Sequence, residues 1–346
     1  MSTLFVDCAN GVGALKLKRM ADKLGEKLPV EILNADIRTP GTLNHQCGSD
    51  FVKVEQRLPT GIQEDQAKGR CCSFDGDADR IVYYFVDADG KFTLLDGDKI
   101  AALAASYLHE LIQAIPALKG QIEIGVVQTA YANGNATRYF EKQGIPVACT
   151  ETGVKHLHHR AEEFDIGVYF EANGHGTVLF KPSTIALVRG INEETMSTPE
   201  ERQALTRLKG FMDVINQTVG DAISDMLMVE LILACRGWSL KDWATNMYDD
   251  LPNRQLKVRV ANRAAFKTTD ADRQLVEPMG LQPVIDEHVK PVDMGRAFVR
   301  PSGTEDVVRI YAEASTQEAC DRLAYTLAGE IYDRAGGVGD RPQQKV

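Results

Sequence analysis

Asp75, Asp77 and Asp79 stand at alternate positions in Ser73-Phe74-Asp75-Gly76-Asp77-Ala78-Asp79-Arg80, and this spacing is the strongest chemical signal in the chain. Side chains recur on one side of an extended segment every second residue, so the three carboxylates can turn toward one point. Gly76 loosens the turn, and Ile81-Val82-Tyr83-Tyr84 continues it as a strand. Hard oxygen donors with an open remaining shell suit Mg2+, which takes few protein carboxylates and borrows further oxygens from a phosphate. A plain acidic hairpin loop is the alternative, and the chain carries its own control, because Asp270-Ala271-Asp272-Arg273 repeats the tetrapeptide. After Thr268-Thr269 that second copy reads as the capped start of a helix, with acids favoured in the first turn. The glycine and the following strand therefore set the first copy apart as a metal turn.

Three further segments carry chemistry. In Phe170-Glu171-Ala172-Asn173-Gly174-His175-Gly176-Thr177, Glu171, Asn173 and His175 alternate after an apolar strand. A carboxylate, an amide and an imidazole supply the mixed donors and acceptors that sugar hydroxyls require, against the alternative of a structural histidine beside a glycine turn. In Arg300-Pro301-Ser302-Gly303-Thr304-Glu305-Asp306, two hydroxyls, a glycine and the arginines Arg300 and Arg309 can hold a phosphate dianion. A Pro-Ser-Gly turn without ligand competes with that assignment. The stretch from Thr152 to Arg160 is the most basic of its length. Lys155 at the start of its helix, with His156, is the candidate contact to an anionic substrate, while a solvated basic helix would need no ligand. His158 and His159 diverge at helical spacing, so no zinc cluster is expected there.

The elements that must position these loops alternate along the chain. Leu4 to Ala9 reads as a buried strand, followed by a tight turn at Asn10-Gly11-Val12-Gly13, a helix from Ala14 to Leu28 and a strand at Val30 to Leu33. A hairpin is expected at Asp87-Ala88-Asp89-Gly90, and Asp96 and Asp98 read as caps of an Ala/Leu-rich helix rather than as metal ligands. A second alternating region begins at Ile122, and Met226, Leu227, Val229, Leu231, Ile232 and Leu233 form the core face of a helix. After Asp249-Asp250-Leu251-Pro252-Asn253 the pattern becomes strand, helix, strand, strand, helix, with the first of those helices starting near Asp270. The expected fold class is α/β: two tandem doubly wound α/β domains, residues 1–118 and 119–250, followed by a smaller α+β domain, residues 251–346. The aspartate loop, the sugar loop and the phosphate loop fall one in each.

Composition narrows the function further. A net charge of -10 argues against general nucleic-acid binding but leaves room for a local arginine cluster. Seven scattered cysteines with no C-x-x-C pair suggest reduced thiols and a cytoplasmic protein. No apolar run reaches the roughly 18 residues of a membrane helix, so no membrane partner is expected.

In their order along the chain, the aspartate loop, the Glu-Ala-Asn-Gly-His loop and the Arg-Pro-Ser-Gly-Thr loop resemble those of the α-D-phosphohexomutase superfamily, and the wording of Phe170 to Thr177 and Thr152 to His159 resembles its hexosamine phosphate branch. The resemblance implies a four-domain enzyme in which Asp75, Asp77 and Asp79 hold Mg2+. It implies that Glu171, Asn173 and His175 bind sugar hydroxyls and that Arg300, Ser302, Gly303 and Thr304 bind the phosphate that is not transferred. The implied reaction interconverts the 6-phosphate and 1-phosphate of N-acetylglucosamine through a phosphoserine and a hexose bisphosphate intermediate, toward UDP-N-acetylglucosamine. No serine in the chain precedes a histidine, so the Thr-Ala-Ser-His-Asn-Pro-like loop of that superfamily is not among these residues. With a core strand already at its fourth residue, the chain is expected to comprise domains two to four, to be inactive alone, and to depend on a separate N-terminal domain. Two rival assignments are a non-catalytic sugar phosphate-binding remnant and, on Asp75-Gly76-Asp77 after a strand, a phosphatase of the haloacid dehalogenase type with an aspartate nucleophile. The second would need a later strand-end serine or threonine, a lysine and an acidic pair, and Asp249-Asp250 does not follow an apolar strand.

Overall fold

A computed structural model of the protein describes residues 2–303 and 305–344. The chain folds as two compact units, the first built from residues 1–127, 139–148 and 158–248 and the second from residues 128–138, 149–157 and 249–346.

In the first unit, β1 (Leu4–Asp7), β2 (Val30–Leu33), β3 (Arg70–Phe74), β4 (Ile81–Val86) and β5 (Phe92–Leu95) form a sheet in the order β2-β1-β3-β4-β5. β1 runs parallel to β2 and β3, and helices α1 (Gly13–Leu24), α2 (Ser49–Glu55) and α3 (Glu64–Ala67) lie in the connections. β3 and β4 are buried at every residue, which is why they read as continuous apolar runs rather than alternating ones. They pair antiparallel, as do β4 and β5, so the doubly wound sheet closes with a hairpin edge. Helix α4 (Gly97–Gln113) follows, with Asp96 as its cap accepting from the N–H groups of Asp98 and Lys99. Its alanines present so little bulk that the helix is buried on nearly every side.

A second sheet repeats the pattern with β6 (Ile124–Thr129), β7 (Val147–Thr150), β8 (Ile166–Phe170) and β9 (Gly176–Phe180) in the order β7-β6-β8-β9. β6 and β8 are parallel, β9 is antiparallel, and α5 (Gly134–Lys142) and α6 (Val154–Ala161) lie in the crossovers. Helices α7 (Pro182–Gly190), α8 (Pro199–Val214), α9 (Ala222–Arg236) and α10 (Leu240–Thr245) complete this part of the chain. α9 begins on an Asp221 cap and buries Met226, Val229, Ile232 and Leu233 of the expected core face, whereas Leu227 and Leu231 are only half-buried and Met228 takes a core place instead.

The second unit carries β10 (Asn253–Arg259), β11 (Lys267–Thr269), β12 (Gln274–Glu277), β13 (Arg296–Pro301) and β14 (Val307–Glu313), with α11 (Leu281–Val289) and α12 (Gln317–Arg334). The antiparallel sheet β10-β14-β13 shows one face to the helices through Val258, Val299, Val308 and Ile310. Alternation puts Phe298 and Tyr311 on the other face and, further along it, the row Lys257, Arg309 and Arg300, which are directly opposite one another across the three strands.

The expected helix at Asp270 is not formed. Asp270, Ala271 and Asp272 have φ of 52°, 55° and 68°, and they turn the hairpin that joins β11 to β12. Three successive left-handed residues cannot begin a right-handed helix. Cap and dipole preferences were overridden by the β-branched Thr268-Thr269 pairing with Gln274 and Leu275.

Candidate functional site

The aspartate turn bridges β3 and β4. Asp75 is buried, Asp79 half-buried and Asp77 exposed, and one carboxylate oxygen from each lies within 4.8 Å of the others. Asp75 Oδ1 accepts from the backbone N–H groups of Asp79 at 3.0 Å and Arg80 at 3.1 Å, which curls the turn so that the acids converge. Burial and then the neighbouring negative charge of Asp79 push the Asp75 carboxyl up to about 7. Charge crowded in this way is what a divalent cation relieves. All three donors are hard oxygens, and the half-buried and exposed members leave an open side, so the set fits Mg2+. The glycine turn at the first strand has a role here: a Cβ on Gly11 would lie 2.2 Å from the Gly76 carbonyl oxygen, and Val12 N–H donates to that oxygen at 3.0 Å.

The Glu171 loop joins β8 to β9 in the same unit. It is closed by Glu171 N–H to His175 O at 2.8 Å and by His175 N–H to Asn173 Oδ1 at 3.0 Å, with Asn173 Nδ2 reaching Glu171 at 3.4 Å. His175 Nδ1 stands 3.3 Å from Asp79 Oδ2, so the aspartate turn and the Glu171 loop meet at these two side chains. Ile81 N–H donates to Gly174 O at 3.2 Å, and Gly97 N–H to Ala172 O at 3.4 Å.

Residues that the spacing did not mark also shape this site. Arg80 donates from Nη1 to both oxygens of Asp50 at 3.0 and 2.9 Å, with its Nε 3.8 Å from Asp75 and 3.7 Å from Asp79. The start of α9 seals the turn, because Ala222 N–H donates to Ala78 O at 2.9 Å and a Cβ on Gly220 would lie 2.6 Å from the His175 ring. Arg80 was visible as the cation after the aspartates. Gly220 carried no signal beyond preceding a helix cap.

In the second unit, Arg300 is the penultimate residue of β13 and Arg309 lies opposite it on β14. Ser302 is buried, Gly303 is exposed, and Thr304 lies outside the described residues. Like charges opposite one another across strands repel. Here Glu305 answers Lys257 at 2.8 Å and Arg309 at 3.0 Å, while Asp272 Oδ2 answers Arg300 Nε at 3.2 Å. Arg263 Nη1 donates to the carbonyls of Ser302 at 2.9 Å and Glu305 at 2.8 Å and so ties the two ends of the loop. Tyr131 lies 6.0 Å under the Arg300 guanidinium. The segment with Lys155, exposed, and His156, half-buried, belongs to this unit too, and its Thr152 is 3.4 Å from Asp272 Oδ2 through both N–H and Oγ1. Lys257, Arg263 and Asp272 were not anticipated, since their place depends on strand pairing.

A carboxylate turn on one α/β sheet, a polar loop on the next and an arginine-rich loop on a small α+β sheet define the α-D-phosphohexomutase class. Family models concur: phosphoacetylglucosamine mutase AMG1 domain II matches residues 1–82, its domain III residues 96–238, and the phosphoglucomutase/phosphomannomutase C-terminal domain residues 256–330. The chain belongs to the phosphoacetylglucosamine mutase family. The phosphoacetylglucosamine mutase of Sus scrofa is 56% identical over 99% of the chain, which spans 61% of that relative's length. The Aspergillus fumigatus N-acetylphosphoglucosamine mutase, solved in complex with GlcNAc-6P and magnesium, is 48% identical with a TM-score of 0.90 over 96% of this chain and 66% of its own. A second structure from that organism, in complex with glucose 1,6-bisphosphate, is 48% identical with a TM-score of 0.89 over 97% of this chain and 61% of its own.

Proposed function

We propose that this chain forms the metal-, sugar- and phosphate-binding part of a phosphoacetylglucosamine mutase, interconverting N-acetylglucosamine 6-phosphate and 1-phosphate for UDP-N-acetylglucosamine synthesis in the cytoplasm. The observation that carries this is the 3.3 Å approach of His175 to Asp79, which sets a sugar-recognising loop directly beside a carboxylate cluster. Asp75, Asp77 and Asp79 would hold Mg2+, whose charge, when it is bound, offsets that of the transferred phosphoryl. Glu171, Asn173 and His175 orient the sugar through its hydroxyls. Arg300, Ser302, Gly303, Thr304 and Arg309 hold the phosphate that stays in place, and Lys155 and His156 add positive charge for the anionic substrate. A fixed anion site accepts either end of the bisphosphate intermediate, so the sugar can turn round between transfers. The domains proposed are residues 1–118, 119–250 and 251–346. All seven cysteines are unpaired, in keeping with a reducing compartment, and among the described residues no helix is long and apolar enough to cross a membrane.

The phosphoryl-carrying serine is not supplied by these 346 residues, so the polypeptide alone binds substrate without turning it over. Calorimetry should show N-acetylglucosamine 6-phosphate binding, and no conversion with Mg2+ and glucose 1,6-bisphosphate. Absence of binding sinks the assignment, and conversion by the pure chain sinks the claim of inactivity. The missing serine also favours a second reading, binding without catalysis. Adding the serine-bearing first domain of a relative separates the two, since only a mutase part regains conversion.

A further inference from the structure

Asp272 belongs to the second Asp-Ala-Asp-Arg copy, the one that sequence logic sets aside as a helix cap. In the structure it is buried to 8% exposure at the end of three left-handed residues, a backbone that costs free energy for side chains other than glycine. Its carboxylate is held on both sides. Oδ1 accepts from Thr268 Oγ1 at 2.8 Å, and Oδ2 faces Thr152 N–H and Oγ1, each at 3.4 Å, and Arg300 Nε at 3.2 Å. Buried Arg300 Nε makes no hydrogen bond among the described residues, so the carboxylate fixed by Thr268 holds the guanidinium as an ion pair. With Nε buried against this carboxylate, the pair of Nη atoms is the fork left to an incoming phosphate.

We infer that Asp272 is a positioning residue for the phosphate loop: it locks Arg300 in an end-on orientation and anchors the Thr152 to His156 segment next to it. This rests on the assignment of Arg300 to phosphate recognition. Electrostatics alone predicts the opposite effect. A carboxylate beside an anion site repels the anion, so removing its charge should tighten binding. Positioning predicts weaker binding, because a freed Arg300 must be ordered anew each time phosphate arrives.

The test measures affinity of the 346-residue chain for N-acetylglucosamine 6-phosphate and for inorganic phosphate by calorimetry. Arg300→Ala must weaken both, and if it does not, the assignment of the phosphate loop has failed rather than the role of Asp272. Given that loss, Asp272→Asn is expected to weaken binding about tenfold, the scale on which outer partners of a binding group act. In an Arg300→Ala background the same change should have almost no effect, since its action passes through Arg300. Unchanged or tighter binding by Asp272→Asn, or an equal loss in both backgrounds, overturns the proposal. If Asp272→Asn does not fold, Thr268→Val frees the same carboxylate, and full affinity in that variant overturns the proposal as well.

Discussion

At the scale of single residues, the chemistry turns on how much negative charge Asp75 tolerates. Burial and Asp79 both work against its charged form, while backbone N–H groups of Asp79 and Arg80 support its Oδ1. An asparagine keeps a carbonyl acceptor for those donors and removes the charge. Asp75→Asn should therefore raise stability when no divalent cation is present and lower it, relative to the parent, when Mg2+ is abundant. At a hundredfold excess over its Kd, Mg2+ should stabilise the parent by about 2.7 kcal/mol. Denaturant titrations with and without Mg2+ read this directly, and a variant less stable under both conditions would contradict it. The aspartates were legible because their alternate spacing beside a glycine is a local signal, although it is the curled turn between β3 and β4, and not an extended strand, that brings them together. Asp272 was not, because the same four letters read there as a helix cap, whereas the structure makes them the turn of a hairpin. What separates the copies is tertiary: one turn is pressed against Gly11, and the other lies under Arg300.

At the scale of elements, loops in the first unit are fixed by backbones that approach too closely for any side chain. Gly174 has φ of 88°, and a Cβ there would lie 1.9 Å from the Ile81 carbonyl oxygen, at the strand that follows the aspartate turn. Gly174→Ala meets backbone that cannot swing aside and should cost about 3 kcal/mol or more, by overpacking and by left-handed strain together. Gly210 gives the matched control, since it lies inside α8 with nothing within 4 Å of its would-be Cβ. Gly210→Ala should stabilise the protein by about 0.5–1 kcal/mol through helix propensity. Urea denaturation of the two variants should thus move in opposite directions, and a shared sign would remove the close-approach argument. Helices and strands of the two α/β sheets were legible because apolar period and glycine punctuation agree there. The hairpin of β11 and β12 was hidden because helix-cap letters and β-branched letters compete over the same few residues, and pairing decided the contest.

At the scale of the whole molecule, order along the chain made α/β, α/β, α+β legible, while the antiparallel edges of both larger sheets and the pairing that aligns Lys257, Arg309 and Arg300 depend on contacts between distant segments. Global stability depends on one further group that pattern did not reveal. Asp225 on α9 is fully buried, neither of its carboxylate oxygens has a hydrogen-bond partner, and burial followed by the charge of Asp221 raises it well above the ordinary carboxylate range. In the unfolded chain it loses its proton near 3.8, whereas the native state retains it to higher pH. Over that window the native state binds more protons than the unfolded state, so this group's contribution to stability falls as pH rises, by at most about 1.4 kcal/mol per pH unit. Asparagine has nearly the same shape and cannot ionise. Asp225→Asn should therefore match the parent most closely near pH 4 and become progressively more stable than it toward pH 8. Because carboxylates other than its neighbour Asp221 titrate alike in both proteins, the difference between their unfolding free energies reports this site and its coupling to Asp221. A difference that stays constant from pH 4 to pH 8 would show that Asp225 has a partner for its charge in the native state and would leave the acid side of the stability curve to the other carboxylates.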